Sequence, residues 1–519
     1  MNYISFKNDI NQFIRGIFNL KHKVYLDHNA TTPISSRVRR KMDNAIKQDY
    51  GNPSSIYYLG RRSYNIIENA RKQVANAISA NYQDVIFTGS ATEANNAVIN
   101  SLNNYFFPLK KKIVSTPIEH SSIIGTLDFL KTKGIEVSYC PVDRKGRVII
   151  DELEKLVDKN TFLICCMMAN NEIGTIQDIP AIVEIARRND IKVLTDCVQA
   201  LGKIPIDVSS MGVDYATFSA HKIYGPKGIG ALYIREGSPF SPFIQGGQQE
   251  GGMRAGTENI HNIVGFGVAC QDIGKLLSHM PRIQNLKDTL ISWFREIKKD
   301  MIVNMPDECL PNTINITFPD IDNTELLSIL DSKGISVSIG SACNSKQGST
   351  SHVLKAIGLT NNEAQQTIRI SLGLHSSKQQ LRYVKDVFAQ YFEGRIPNIN
   401  RIDPNQLTES LLFNDDYYIL DVRPEQMRKM INSLPNSNQL SIYLLDTNFQ
   451  RLPKNKEIIV VCLDGGIALA ASYIIKANGF NKISILSGGI LGWQQQYPDL
   501  VKKYADYNNT ILEPEYLSS

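Results

Sequence analysis

Between about residue 61 and residue 234 the sequence alternates helical periodicity with short apolar runs, and this alternation limits the fold more than any other feature of the chain. Helical patterns over 61–80, from about 93, and over 121–133, 150–157 and 179–189 are interleaved with apolar runs at 85–88, 112–115, 137–140, 162–168, 192–195, 215–218 and 231–234. Strands separated by helices predict a mainly parallel sheet covered on both faces. Ligands of such sheets bind beyond the carboxyl ends of the strands, so the polar residues that follow each run are where chemistry is to be sought.

Those residues form a series. Thr88-Gly89-Ser90-Ala91-Thr92-Glu93 closes a strand and opens a helix, where backbone N–H groups and the hydroxyls of Ser90 and Thr92 suit a phosphate, although a plain capped helix reads the same way. His120 closes the next strand-to-helix loop, at a position where an imidazole could lie on an aromatic cofactor. Asn170-Asn171-Glu172-Ile173-Gly174 follows the run at 162–168. Asp196 follows the run at 192–195, and a carboxylate buried there needs a cationic partner such as a protonated pyridine nitrogen. Ser219, His221 and Lys222 lie between the run at 215–218 and a Gly/Pro-rich turn. Desolvation of a lysine among core strands favours the free amine and so a Schiff base.

Upstream, residues 24–33 read as a strand running into a polar turn, with Pro33 opening a helix. Residues 1–22 show weak helical periodicity and carry no evident chemistry. The composition is that of an ordinary soluble protein, 42% hydrophobic and 21% charged, and 519 residues allow several domains. A net charge of +5 is small for this length and gives no reason to infer a nucleic-acid partner. The eight cysteines are scattered without Cys-x-x-Cys spacing, which points away from a zinc site or disulfide scaffold and toward a reducing compartment. No apolar run is long enough to span a bilayer, and the first twenty residues lack a signal-peptide centre, so the expected location is the cytoplasm.

Residues from about 24 to 395 resemble the fold-type I, pyridoxal-phosphate-dependent cysteine desulfurases of the class V aminotransferase family. The motifs are Tyr-Leu-Asp-His-Asn-Ala-Thr-Thr-Pro, Asn-Pro-Ser-Ser, Gly-Ser-Ala-Thr-Glu-Ala-Asn-Asn, Glu-His-Ser-Ser, Asn-Asn-Glu-Ile-Gly, Asp-Cys-Val-Gln and Ser-Ala-His-Lys-Ile-Tyr-Gly-Pro-Lys-Gly. The resemblance implies an α/β fold with a large, mainly parallel-sheet domain at 23–269 and a small α/β domain at 270–395. It implies that Lys222 forms the Schiff base with pyridoxal 5'-phosphate and moves the Cα proton, Asp196 holds the pyridine nitrogen, and His120 stacks on the ring and is a catalytic candidate for proton transfer. Asn171 and Gln199 would address the ring oxygen, and Ala91, Thr92, Ser219 and His221 the phosphate. Thr257 matches a residue that reaches the partner subunit's phosphate in the family's homodimers. Tyr57 stands where the family often has a histidine.

The segment Ser338 to Ser349 is small, polar and glycine-bearing, a composition suited to a mobile loop, and it carries Cys343 without an apolar face. It is the thiol expected to act as nucleophile, whereas those at 140, 165, 166, 197, 270 and 309 read as buried small hydrophobes. Its Gly-Ser-Ala-Cys setting resembles the long-loop desulfurase subgroup. Arg369, in Ile-Arg-Ile-Ser-Leu-Gly, matches the arginine that grips the substrate carboxylate, a task suited to a planar guanidinium, and Asn171 is expected to bind substrate with it.

Composition changes near 395, with a plausible linker at 396–401. Residues 402–505 then resemble a rhodanese domain through Leu-Asp-Val-Arg, a strand ending in Cys462, and Gly-Gly-Ile-Leu-Gly-Trp. The loop departs from that family, since Ile467 replaces the usual arginine, Asp464 adds negative charge, and the Gly-His-Ile-Pro-Gly-Ala stretch is missing. Anionic thiosulfate should therefore bind poorly, and Cys462 is left as either a sulfur relay or part of a docking module. The chain is expected to be a homodimeric desulfurase converting L-cysteine to L-alanine with a persulfide on Cys343, with no metal. It would supply a sulfur-acceptor protein of iron–sulfur cluster assembly or of tRNA or cofactor thiolation. A class V aminotransferase that does not need Cys343, or a non-catalytic sulfur-transfer scaffold, are the alternatives.

Overall fold

Every apolar run between 85 and 234 forms a strand. They are β1 (Val85–Thr88), β2 (Lys112–Ser115), β3 (Glu136–Tyr139), β4 (Thr161–Cys165), β5 (Lys192–Asp196), β6 (Tyr215–Ser219) and β7 (Gly230–Ile234). This computed structural model describes residues 24–340, 350–396 and 398–504. The strands make one sheet in the order β1-β7-β6-β5-β4-β2-β3, in which β7 alone runs antiparallel to its neighbours and the remaining pairs are parallel.

The near-continuous apolarity of these strands follows from burial on both faces. Successive residues enter different cores: Val193, Ala216 and Phe218 join one cluster, and Leu194, Tyr215 and Leu232 the other. Edge strand β3 is buried far less than the others. Helices α1 (Ala91–Phe106) and α2 (Ser121–Lys131) start directly after β1 and after the loop that follows β2, capped by Ser90 and His120. Pro33 does not open a helix. Ser35 does so by accepting a hydrogen bond from Val38 N–H, and the helix spans Ser36–Gln48.

A second, antiparallel sheet contains β8 (Ile302–Val303), β9 (Thr313–Thr317) and β10 (Thr367–Ser371) in the order β10-β9-β8. Both sheets lie in one compact unit, Tyr25–Ile321 with Val337–Lys385. Five of the six thiols expected to be buried are buried, but Cys309 is half-exposed. It lies beside exposed Glu308, and its sulfur accepts a 3.1 Å hydrogen bond from the buried Lys287 amine, so it is not a simple apolar filler.

The other unit contains Asp322–Ser336 and the chain from Asp386 onward. Its parallel sheet has the order β11-β15-β14-β12-β13, from β11 (Asn400–Ile402), β12 (Tyr417–Asp421), β13 (Asn438–Gln439), β14 (Glu457–Val461) and β15 (Ile483–Leu486). Helix Asn323–Ser332 packs within this unit against α3 (Gly466–Ala477), and Ile329 shares a core cluster with Val460 and Leu469. Among the described residues no helix is long and apolar enough to cross a membrane. The segment 1–22 and Cys343 lie outside the described residues.

Candidate active site

The carboxyl ends of β1, β2, β4, β5 and β6 converge on a cavity of about 280 Å³. Ala91, Thr92, His120, Asn171, Asp196, Gln199, Ser219, His221, Lys222 and Arg369 all line it. These residues come from six separate stretches of sequence, and the sheet topology collects them. Thr257 is exposed and does not line the cavity.

Lys222 ends a single 3-10 turn after β6, and its Nζ donates to the carbonyls of Asn29 at 2.6 Å and Ala30 at 2.8 Å. Two residues on, Tyr224 adopts a left-handed φ of 65°. Its N–H donates to Thr32 Oγ1, and its hydroxyl accepts from Leu374 N–H, so tertiary contacts impose this unusual backbone beside the lysine.

Asp196 is only 5% exposed and has no ion-pair partner among the described residues. It accepts from Asn95 Nδ2 at 3.0 Å and from Val198 N–H at 2.9 Å. A buried carboxylate held by neutral donors alone still favours a cation, and a pyridinium nitrogen meets that need. At the N-terminus of α1 the Ser90 hydroxyl oxygen accepts from Glu93 N–H, and Glu93 accepts from Gly89 N–H while pairing with Arg254. The Ser90 oxygen is therefore engaged as a helix cap, whereas Ala91, Thr92, Ser219 and His221 line the cavity beside it. Gly230 lets this helix start approach closely: a Cβ there would lie 2.7 Å from Ser90 C and 2.8 Å from Ala91 N.

Burial dominates the titration of the site. It lowers the His221 imidazole to about 4, with Lys222, Lys227 and His120 adding in the same direction. It also lowers His120, helped by Lys222 and His352 and opposed by Asp196. Both rings are held in the neutral form at neutral pH.

Arg369, on β10, is 2% exposed. One terminal nitrogen pairs with Asp27 at 2.7 Å and the other approaches the Asn171 carbonyl at 3.4 Å, while Nε has no partner among the described residues. That leaves guanidinium capacity at the cavity wall for a carboxylate.

Several supporting residues received no role from the sequence. Asn29 accepts from Lys222, Gln199 and Lys203, and donates to the Asn171 carbonyl and to Thr313. Lys203, also buried, donates to the amide oxygens of both Asn29 and Gln199, and burial pushes its ammonium far down, with Lys222 and Arg369 adding to the effect. Its position four residues after Gln199 was the available signal.

In the second unit Cys462 directly follows β14, and its sulfur accepts from Gly465 N–H at 3.1 Å. Gly465 has a φ of 104° and caps α3, a conformation that suits glycine. Burial raises the Cys462 thiol, the Asp464 carboxylate adds to that, and the N–H groups of Ala468, Asp464 and Gly465 oppose it. Asp421 and Arg423 of Leu-Asp-Val-Arg form a fully buried ion pair at 2.7 Å, and Arg423 also binds the Ile431 carbonyl and Ser433. They tie the end of β12 to the 431–433 segment.

Residues 24–384 match the family described as Aminotransferase class-V, and residues 403–496 match the Rhodanese-like domain. The cysteine desulfurase IscS of Dictyoglomus turgidum is 42% identical over 379 residues, covering 72% of this chain and 95% of that protein. The cysteine desulfurase IscS 1 of Archaeoglobus fulgidus is 36% identical over 381 residues, 73% of this chain and 98% of its own. A solved NifS-like protein aligns with TM-score 0.68 at 38% identity, covering 72% of this chain and 99% of its own. The structure described as SspA in complex with cysteine aligns with TM-score 0.61 at 33% identity, over 68% and 100%. Pyridoxal phosphate is the cofactor that this family uses, and the lysine, the uncompensated carboxylate and the helix N-terminus of the cavity fit it. The chain belongs to the class-V aminotransferase family, in its cysteine desulfurase branch, and carries a rhodanese-like domain behind it.

Proposed function

We propose that this chain converts L-cysteine to L-alanine, receives the sulfur as a persulfide on Cys343 and passes it to an acceptor protein. The observation that carries the reading is the single cavity that joins Lys222, Asp196 and Arg369. Arg369 binds the substrate carboxylate, Asp196 holds the cofactor's ring nitrogen, and Ala91, Thr92, Ser219 and His221 hold its phosphate. Pyridoxal phosphate, when bound, supplies the electron sink for negative charge at the substrate Cα. The Lys222 amine moves the Cα proton, and Cys343 attacks the substrate sulfur as its bond to carbon breaks. Cytoplasmic location accords with scattered free thiols.

A homodimer is the proposed assembly. Thr257 is exposed and does not line the cavity of its own chain, and Tyr50, Ile56, Tyr57 and Tyr58 are between 55% and 89% exposed, apolar side chains that a second copy would cover. Sedimentation of the cofactor-loaded protein is expected to give a dimer at micromolar concentration. A loaded monomer would count against the role of Thr257.

For the rhodanese-like domain, the buried, raised thiol of Cys462 favours docking of the acceptor over sulfur relay. Ile467 and Asp464 also leave no cationic site for thiosulfate, so thiosulfate sulfurtransferase activity should be at background. The test supplies sulfur-labelled cysteine to the intact chain, traps persulfides by alkylation and maps them by mass spectrometry. Label on Cys343 with Cys462 still a free thiol after many turnovers is the expected pattern. Stoichiometric label on Cys462 would establish a relay instead.

A further inference from the structure

We infer that Asn95 and Ser122 fix His120 as a neutral imidazole with its proton on Nε2, so that this ring serves substrate as a hydrogen-bond donor and not as the base of the reaction. The inference rests on the desulfurase reading only for the identity of the substrate; the proton arrangement follows from the hydrogen bonds themselves.

Asp196, when ionised, only accepts, so the Asn95 terminus 3.0 Å from its carboxylate is the NH₂ group. The same NH₂ lies 3.0 Å from Ser122 Oγ, which must accept from it. The Asn95 carbonyl oxygen takes the Thr217 hydroxyl at 2.9 Å, so the amide is engaged at both ends, and Asn95 and Thr217 are completely buried. Among the described residues the one acceptor left for the Ser122 hydroxyl proton is His120 Nδ1, at 2.9 Å. A second donor agrees. Ser122 N–H, whose hydrogen cannot be relocated, points at the same Nδ1 from 3.2 Å. A proton on Nδ1 would meet this hydrogen head-on, so the ring proton belongs on Nε2.

The groups that act on the ring are Asp196, which favours its protonated form, and Lys222 and His352, which oppose it, and burial outweighs all three. His352 is itself turned toward another element, with its Nε2 2.9 Å from the Glu119 carbonyl. A neutral imidazole already protonated at Nε2 offers no lone pair there to take a proton. It can donate a hydrogen bond to an electron-rich substrate atom, such as sulfur gaining charge, and the Cα proton is left to Lys222. Asn95 and Ser122 are positioning residues that act through His120.

The decisive comparison is His120→Gln with His120→Ala in the full-length holoenzyme. Glutamine keeps an N–H donor and has no acid–base chemistry. His120→Gln is expected to form alanine within about tenfold of the parent rate, whereas His120→Ala, with the donor gone, loses roughly 10²-fold or more. Equal losses in the two variants would overturn the donor assignment. Independently of turnover, solid-state ¹⁵N NMR of histidine-labelled protein, with His120→Gln identifying the signal, should show unprotonated Nδ1 and protonated Nε2 at pH 7.5. Ser122→Ala removes one hydrogen bond to Nδ1 and should raise the protonation midpoint of His120 by about one pH unit. Asn95→Leu, which frees the Ser122 oxygen to accept from an imidazolium, should shift it the same way. A protonated Nδ1 in the parent, or an unchanged midpoint in both variants, would refute the lock. If the parent makes no alanine from cysteine, the desulfurase reading fails while the spectra still decide the tautomer.

Discussion

Lys222→Ala abolishes covalent attachment of pyridoxal phosphate and slows alanine formation by more than ~10³-fold, because it removes both the amine that carries the cofactor and the group that moves the Cα proton. The purified parent protein should be yellow, and borohydride should fix the cofactor to the peptide that contains Lys222. The variant should bind cofactor only reversibly, since Asp196 and the phosphate cradle remain. The lysine amine now rests on the carbonyls of Asn29 and Ala30, of which the first also accepts from Gln199 and the second borders the cavity, so its loss should not disturb the sheet. Retention of a borohydride-fixed cofactor in Lys222→Ala would place the attachment elsewhere; Lys203 is the other lysine among these residues, donating to Asn29 and Gln199.

Cys343→Ser keeps the cofactor spectrum of the parent and loses alanine formation from cysteine by at least ~10²-fold, because a hydroxyl is a far weaker nucleophile toward sulfur than a thiolate. The two effects should separate cleanly. The residues proposed to hold the cofactor, Lys222, Asp196 and the phosphate-binding set, come from other stretches of the chain than Cys343. Absorbance of the bound cofactor and alanine release, measured on the same preparation, check both halves of the expectation. Unchanged turnover would indicate the aminotransferase chemistry of the wider family.

Much of this architecture could be read from the chain because its strands are buried on both faces and so appear as unbroken apolar runs. The run at 215–218 became β6 with one residue added, and the run at 112–115 became β2 without change. Residues named at strand ends were found together for the same reason, since parallel strands deliver all their carboxyl ends to one edge. What the sequence concealed was the layer behind them. Asn95 bonds to groups 27, 101 and 122 positions away, and Asn29 to a lysine 174 positions away. Such partnerships leave no periodic trace, and a buried asparagine on a helix looks like a solvated one until the fold closes around it. Pro33 misled for a local reason. Its ring suits a helix start, but Ser35 offered a better cap two residues later.

The C-terminal unit also bears on how such a fusion can be taken apart. It includes Asp322–Ser336, a piece of chain that precedes the linker by some sixty residues, and Ile329 in that piece shares a core with Val460 and Leu469 of the rhodanese-like fold. Tyr473 on α3 also reaches Glu325 with its hydroxyl, at 3.4 Å. The point near 395 where the composition of the polypeptide changes is therefore not where its packing changes. A gene cut near residue 395 would strip Ile329 of its partners, at a cost of about 1.5–3 kcal/mol for that one side chain. It would leave a greasy scar on the upstream fragment. Swapping the tail for that of a relative would require exchanging the 322–336 segment with it, so the two halves are constrained to diverge as a pair.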